Sequence, residues 1–248
     1  MDSTTSDLPV LVLGAGPIGL ACAAELRGRD QSVLVIEQSD RVASTVRRWA
    51  HVRMFSPWEE LVSAAGIRQL GSQWNPPRGS LYPTGQQWVS DYLDPLGQAL
   101  SDWIRFGRRV VGVSRLDRDL LVESGRAEQP YVIHARHSDG SIERILARAV
   151  VDTTGTWQRP APLGSEGYPV AGELDHADRI VHTMPDPADP SWARQKVAVL
   201  GSGASALTSL VALTRQGEHA ASSVLWAVRR GSVDQALGGG ENDELPAR

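Results

Sequence analysis

Three glycines spaced as Gly14-x-Gly16-x-x-Gly19, followed further along the chain by Glu37, are residue types suited to holding a dinucleotide. The first glycine allows a tight turn, and the second leaves room for a pyrophosphate against the backbone. The third lets a helix pack closely on a strand, and the acid accepts hydrogen bonds from a ribose hydroxyl. Pro17 lies between the second and third glycines, just before the helix pattern that starts at Ile18. N–H groups at such a helix start carry the partial positive charge that a diphosphate requires.

The flanking residues supply the elements that would position this motif. Residues 10–13, VLVL, form an apolar run of strand length, and residues 18–26 carry a small-residue helix pattern. A second apolar run, residues 33–36, ends directly on Glu37. Strand, glycine turn, helix, strand and terminal acid together make a complete βαβ dinucleotide unit.

The pattern occurs a second time. Residues 197–200, VAVL, lead into Gly201-Ser202-Gly203-Ala204-Ser205-Ala206, and a helix pattern runs on to Leu213. The next strand pattern, residues 224–228, ends on Arg229 and Arg230 instead of an acid. Losing the acid removes a ribose acceptor, while arginines supply cations suited to a 2′-phosphate. A charged strand end without a ligand is the plain alternative. The first unit thus favours a dinucleotide with a free ribose diol, and the second favours NADPH.

Between Glu37 and Trp58 lies a segment dense in arginine and tryptophan, including Arg47, Arg48, Trp49, His51 and Arg53. It has neither helical nor strand periodicity. His51 and Arg53 are its candidates for contact with a phosphate or an anionic substrate and for acid–base work. Spacing elsewhere suggests no Ser-His-Asp set, no paired carboxylates and no metal cluster.

Other features bound the class of protein. The 248 residues are 41% hydrophobic, a globular composition, and the net charge of −4 argues against a nucleic-acid or anionic-membrane partner. Lys196 is the sole lysine and Cys22 the sole cysteine, so the sequence holds no Cys-x-x-Cys redox pair. The N-terminal residues are polar and acidic, and no apolar run approaches bilayer length. A cytoplasmic protein is the expectation.

The remaining elements follow from periodicity. A short helix is expected over residues 58–65, ending at Gly66, and a Gly/Pro-rich loop over residues 71–83. Thr84 reads as the N-cap of a helix reaching Leu100, with Pro95 imposing a kink or break. Period-two patterns cover residues 103–106, 110–113, 131–137 and 142–147, with Ser138-Asp139-Gly140 as a hairpin turn. A buried-type strand at residues 149–151 leads into Asp152-Thr153-Thr154-Gly155. Proline-rich residues 160–169 and 184–190 read as linkers.

Two βαβ units separated by a β-meander and a strand ending in TTG resemble the two-dinucleotide-binding-domain flavoproteins. The resemblance covers essentially the whole chain. It implies an α/β, Rossmann-like fold with a three-stranded β-meander and a second, incomplete Rossmann-like unit. Residues 1–160 would form an FAD-binding domain, with the meander at about 103–147. Residues 161–195 would be linkers, and residues 196–248 a partial NADPH-binding domain. The resemblance assigns Gly14, Gly16, Pro17, Gly19 and Glu37 to FAD, with Val110 at the adenine and Thr154-Gly155 at a second strand end. It assigns Gly201, Ser202, Gly203, Ser205, Ala206 and Arg229 to NADPH.

Within that superfamily the second glycine motif and the TTG segment look most like flavin-containing monooxygenases and related class B enzymes. Their fingerprint of aromatic, glycine, histidine and aromatic is half kept here: Gly172 and His176 are present, and Val170 and Ile180 replace the aromatics. The implied activity is NADPH-driven oxygenation of a small molecule through a flavin hydroperoxide. A flavin reductase or oxidase without oxygenation is the alternative, as is a truncated, non-catalytic nucleotide-binding fragment or subunit. A disulfide-type reductase would require the missing cysteine pair. Members of the superfamily continue beyond the point where this sequence stops, at Arg248. The expectation is therefore a truncated product, or a surface completed by a second copy or a partner chain.

Overall fold

The computed structural model describes residues 7–119, 121–215 and 221–229. Its internal contacts divide the chain into two units, residues 1–50 with 56–159 and residues 51–55 with 160–248.

The first unit is built on a parallel sheet. β1 (Val10–Leu13) pairs with β2 (Val33–Ile36) on one side and with β7 (Ala149–Asp152) on the other. The short β3 (Ile104–Arg105) adds to the outer edge of β2, so the order is β3-β2-β1-β7. β1 is buried at every position, as expected of a strand covered on both faces. Helix α1 (Pro17–Gly28) makes the crossover between β1 and β2 and packs on both.

The other face is covered by an antiparallel meander, β4 (Arg108–Arg115), β5 (Tyr131–His137) and β6 (Ile142–Ala147). Period-two alternation sends Ile133, Ala135, Ile145 and Ala147 inward against Leu11, Leu13 and Ile36. Each fully buried leucine or isoleucine in this layer contributes about 1.5–3 kcal/mol relative to exposure. A register shift between Val110 and Gly112 leaves Val111 unpaired in β4. The hairpin between β5 and β6 turns at Gly140, whose φ is +87°, while Asp139 accepts the Ser141 N–H and hydroxyl.

Three local expectations differ from the structure. Residues 103–106 do not join the meander: Trp103 lies in a 3₁₀ turn, and Ile104–Arg105 pairs in parallel with β2. Alternation marks a strand but cannot name its partner. The helix expected over residues 58–65 is two helices, α3 (Trp58–Leu61) and α4 (Ala64–Leu70). Ser63 interrupts by accepting the Gly66 N–H at 2.9 Å, a new N-cap. Gly66 is therefore inside α4, pressed against the Tyr92 hydroxyl, and Gly71 ends that helix. The Arg/Trp-rich segment also holds one helical turn, α2 (Ser44–Arg47).

The helix expected from Thr84 starts with a capping box, Thr84 and Gln87 bonding each other's backbone N–H. It runs as α5 (Gly85–Trp88), a π-helical turn over Val89–Leu93, and α6 (Asp94–Ala99). Pro95 is the reason. It has no N–H for the Asp91 carbonyl, which instead accepts the Trp74 indole N–H at 2.8 Å. Arg47 pairs with Asp94, tying α2 to α6.

The second unit contains a smaller βαβ. β8 (Lys196–Leu200) and β9 (Ser223–Ala227) pair in parallel, joined by α7 (Ala204–Thr214). Residues 160–195 lead into it through turns and two 3₁₀ segments. In this connector, Glu173 accepts the N–H groups of Leu163 and Val170.

Candidate dinucleotide site

The turn after β1 is shaped by steric contact at its ends and left open in its middle. Gly14 has φ +98° and donates its N–H to the Ile36 carbonyl at 2.8 Å. A Cβ on Gly14 would sit 3.3 Å from the Thr153 carbonyl oxygen, and one on Gly19 would collide with the Gly14 carbonyl. Around Gly16, by contrast, an added Cβ would meet nothing within 4 Å. Gly16 is the N-cap of α1 without any side-chain cap, and Pro17 follows as N1. The first turn carries no acidic residue, so no side chain of its own offsets the partial positive charge of its free N–H groups. That cradle fits a diphosphate.

Glu37 stands at the end of β2 and is only 6% exposed. Its Oε2 accepts the Ala15 N–H at 2.7 Å, while Oε1 accepts the Ser39 N–H at 2.9 Å and hydroxyl at 2.7 Å. A carboxylate offers about four acceptor positions, so three donors leave room for a ribose hydroxyl. Burial without a cation is tolerated because these donors satisfy the group. The Glu37 carbonyl also accepts the Arg108 N–H at 2.9 Å, which carries the chain from the glutamate toward Val110. Val110 is half-buried in the meander.

At the end of β7, Asp152 bends the chain by accepting the Thr154 N–H at 3.0 Å and hydroxyl at 2.7 Å. Those two bonds hold the Asp152 carboxyl below its ordinary pKa. Gly155 follows with φ +65°, and an added Cβ there would meet nothing within 4 Å. β7 pairs with β1 in register, Asp152 opposite Leu13, so the TTG segment leaves the sheet beside the glycine turn. The structure thus brings together Gly14, Gly16, Pro17, Gly19, Glu37 and the start of the TTG segment. Sequence reading missed Thr153, Ala15, Ser39 and Asp152. Asp152 followed two residues later by threonine was a legible turn signal, whereas the partners of the others are set only by the sheet.

The second glycine motif repeats the geometry within its own unit. Gly201 has φ +111° and donates to the Ala227 carbonyl at 3.0 Å. The Trp226 indole N–H donates to the Gly201 carbonyl at 2.8 Å, a brace that sequence reading also missed. Gly203 is the uncapped N-cap of α7, with nothing within 4 Å of an added Cβ. Ser202 and Ala206 are half-buried, and Ser205 is exposed, its carbonyl accepting the Ser209 hydroxyl at 2.8 Å. Arg229 lies two residues past β9 and is exposed. Arg230 and the glycine run at residues 238–240 lie outside the described residues.

His51 and Arg53 fall in the second unit, although Ala50 belongs to the first. The His51 Nε2 is buried with no hydrogen-bond partner among the described residues. Gly172 and His176 do form one structure, a turn in which the His176 N–H donates to the Gly172 carbonyl at 3.1 Å. Among the described residues no group of three or more His, Cys, Asp or Glu could hold a metal ion, and no helix is long and apolar enough to cross a membrane.

Comparison with known proteins agrees with this architecture. The FAD-containing monooxygenase EthA of Mycobacterium tuberculosis (strain ATCC 25618 / H37Rv) is 24% identical over 221 residues, covering 86% of this chain and 40% of that protein. Indole-3-pyruvate monooxygenase YUCCA1 of Oryza sativa subsp. japonica is 30% identical over 207 residues, covering 84% and 45%. The chain therefore spans less than half the length of these curated relatives. Among solved structures, the bacillithiol disulfide reductase Bdr (YpdA) from Bacillus cereus superposes with a TM-score of 0.66 at 22% identity, covering 88% of this chain and 58% of that one. OTEMO in complex with FAD and NADP gives 0.59 at 18% identity, covering 90% and 39%. Both share the Rossmann-like fold. Residues 11–234 match the family described as pyridine nucleotide-disulphide oxidoreductase, and with the βαβ turn in place the chain belongs to that oxidoreductase family.

Proposed function

We propose that this chain is the nucleotide-binding part of an FAD- and NADPH-dependent monooxygenase acting on a small molecule. The observation that carries the reading is the cradle at Gly16: closed by contact at Gly14 and Gly19, open between them, and flanked by the buried acceptor Glu37. In it, the first-turn N–H groups of α1 would bind the FAD diphosphate and Glu37 its ribose. Val110 would border the adenine, and Thr154-Gly155 would pass close to the cofactor. In the second unit, Gly201, Ser202, Gly203, Ser205 and Ala206 would form the NADPH diphosphate turn, with Arg229 meeting the 2′-phosphate. The flavin held in the first unit would supply the redox chemistry, electron transfer from NADPH to oxygen, while that unit's residues bind and orient it. His51 and Arg53 are the candidates for contact with the reacting groups.

The names of relatives such as EthA and YUCCA1 support oxygenation over disulfide reduction. So does the presence of a single cysteine, Cys22, in these 248 residues. The FAD-binding part is assigned to residues 1–160 and the NADPH-binding part to residues 196–248, with linkers between. A cytoplasmic location belongs to the same proposal. Association with a second copy or partner chain is proposed from Leu200 and Leu225, which β8 and β9 leave 54% and 68% exposed. The absorption spectrum of the purified protein tests the central reading. Flavin bands bleached by NADPH without oxygen are expected; colourless protein that takes up no added FAD overturns it. Oxygen uptake coupled to product marks an oxygenase, and stoichiometric peroxide release marks an oxidase.

A further inference from the structure

We propose that Thr153 is a positioning residue for the cofactor's diphosphate, acting through its hydroxyl on the first glycine turn. The inference rests on the reading of Gly14 to Glu37 as the FAD seat.

Thr153 is the first residue after β7, and it grips the last residue of β1 and the glycine that follows it. Its N–H donates to the Leu13 carbonyl at 3.0 Å, and its hydroxyl donates to the same carbonyl at 2.7 Å. The Gly14 carbonyl lies 3.3 Å from that hydroxyl, a weaker second acceptor. Both lone pairs of the Leu13 carbonyl are thereby engaged by one residue. The chain leaves β1 in a direction set by these bonds, since Leu13 ends the strand and Gly14 begins the turn at φ +98°.

The same hydroxyl faces α1. A Cβ on Gly19 would lie 2.8 Å from Thr153 Oγ1, so the oxygen sits where strand β1, strand β7 and the first turn of α1 converge. It touches the backbone that precedes Gly16 and the glycine that follows it, and it lies outside the open cradle itself. Loss of the hydroxyl leaves the Leu13 carbonyl held by the residue-153 N–H alone and removes the contact to the Gly14 carbonyl, so the N–H groups aimed at a diphosphate are less firmly directed. Preorganised donors bind an anion more tightly than donors that must be ordered on binding.

The test compares Thr153→Ala and Thr153→Ser with the wild-type chain. FAD affinity is titrated by flavin fluorescence, visible circular dichroism of bound flavin reports its geometry, and melting of the FAD-free protein reports the scaffold. Loss of one hydrogen bond predicts about five- to tenfold weaker FAD binding for Thr153→Ala. Its flavin dichroism should be altered, and Thr153→Ser should restore affinity to within about twofold because it keeps the donor. Affinity lost equally in both variants overturns the proposal, because the methyl would then be the contributing group. Wild-type FAD binding that Thr153→Ala leaves unchanged also overturns it, without touching the FAD reading. Wild-type protein that binds no FAD overturns both. If Thr153→Ala does not fold, Thr153→Cys, whose thiol is a weak donor, takes its place with the same expected loss.

Discussion

The Glu37 carboxylate accepts the Ala15 N–H at 2.7 Å, joining the end of β2 to the middle of the glycine turn. The acid thus has a structural partner before any ribose arrives. Glu37→Gln places an amide NH₂ where at least one backbone N–H or the Ser39 hydroxyl also donates, leaving a buried donor unsatisfied. We expect about 2 kcal/mol of lost stability in the FAD-free protein, in addition to weaker FAD binding. Thermal melting without FAD checks the first effect. An unchanged melting temperature would mean that the bonds from Ala15 and Ser39 to this carboxylate contribute nothing to the fold.

Gly19→Ala is expected to act through the backbone. Its Cβ would collide with the Gly14 carbonyl oxygen and approach Thr153 Oγ1 to 2.8 Å. Neither obstacle is the far end of a flexible side chain, so α1 must move away from β1. Such overpacking costs about 3 kcal/mol. Gly16→Ala meets nothing within 4 Å and should leave the FAD-free protein intact while blocking the diphosphate. Melting curves and FAD titration of the two variants should therefore separate, Gly19→Ala failing in both and Gly16→Ala only in the second.

Arg229 follows Val228, the position equivalent to Glu37, and lies two residues past the second strand of its βαβ. Arg229→Gln removes the cation proposed for the 2′-phosphate and leaves the Gly201 turn unaltered. The preference for NADPH over NADH should fall about tenfold, as expected for one charge-assisted contact. Dissociation constants for both nucleotides measure it. An unchanged ratio assigns 2′-phosphate recognition to another residue.

The opening βαβ was legible in the sequence because each of its demands is local. Apolar runs of strand length, glycines at fixed offsets and an acid at a strand end require no knowledge of distant partners. The same holds for Thr84, whose capping-box partner Gln87 is three residues away. What was not legible depends on tertiary neighbours. Thr153 gains its role from Leu13, 140 positions earlier, and nothing in TTG indicates that pairing. Ile104–Arg105 alternates like a meander strand, but the exposed edge of β2 captures it. Pro95 announced an interruption, yet the π-helical turn is fixed by Trp74 taking the orphaned Asp91 carbonyl. His51 and Arg53 are candidates by residue type and by their place after Glu37, and neither says which unit a short irregular segment joins.

Glu143 on β6 accepts Arg108 Nε at 3.0 Å and Arg105 Nη1 at 3.1 Å, and its Oε2 lies 3.2 Å from His137 Nε2. The cluster ties the edge strand of the parallel sheet to the meander. Burial pushes the Glu143 carboxyl up, but the Arg108 hydrogen bond and the two guanidinium charges outweigh it and hold the group below its ordinary value. A depressed folded-state pKa contributes stability at pH above the unfolded-chain value of about 4.3. That contribution is lost as pH falls through the lower folded-state value. Glu143→Gln mimics the protonated acid at every pH, so the two proteins should differ at pH 7 and converge in acid. With the side chains only partly shielded, the difference at pH 7 should be on the order of 1 kcal/mol and should shrink as salt is added. Urea melts from pH 7 down to pH 3 measure it. Parallel stability curves that never converge would show that the carboxylate charge is not what ties β3 to the meander.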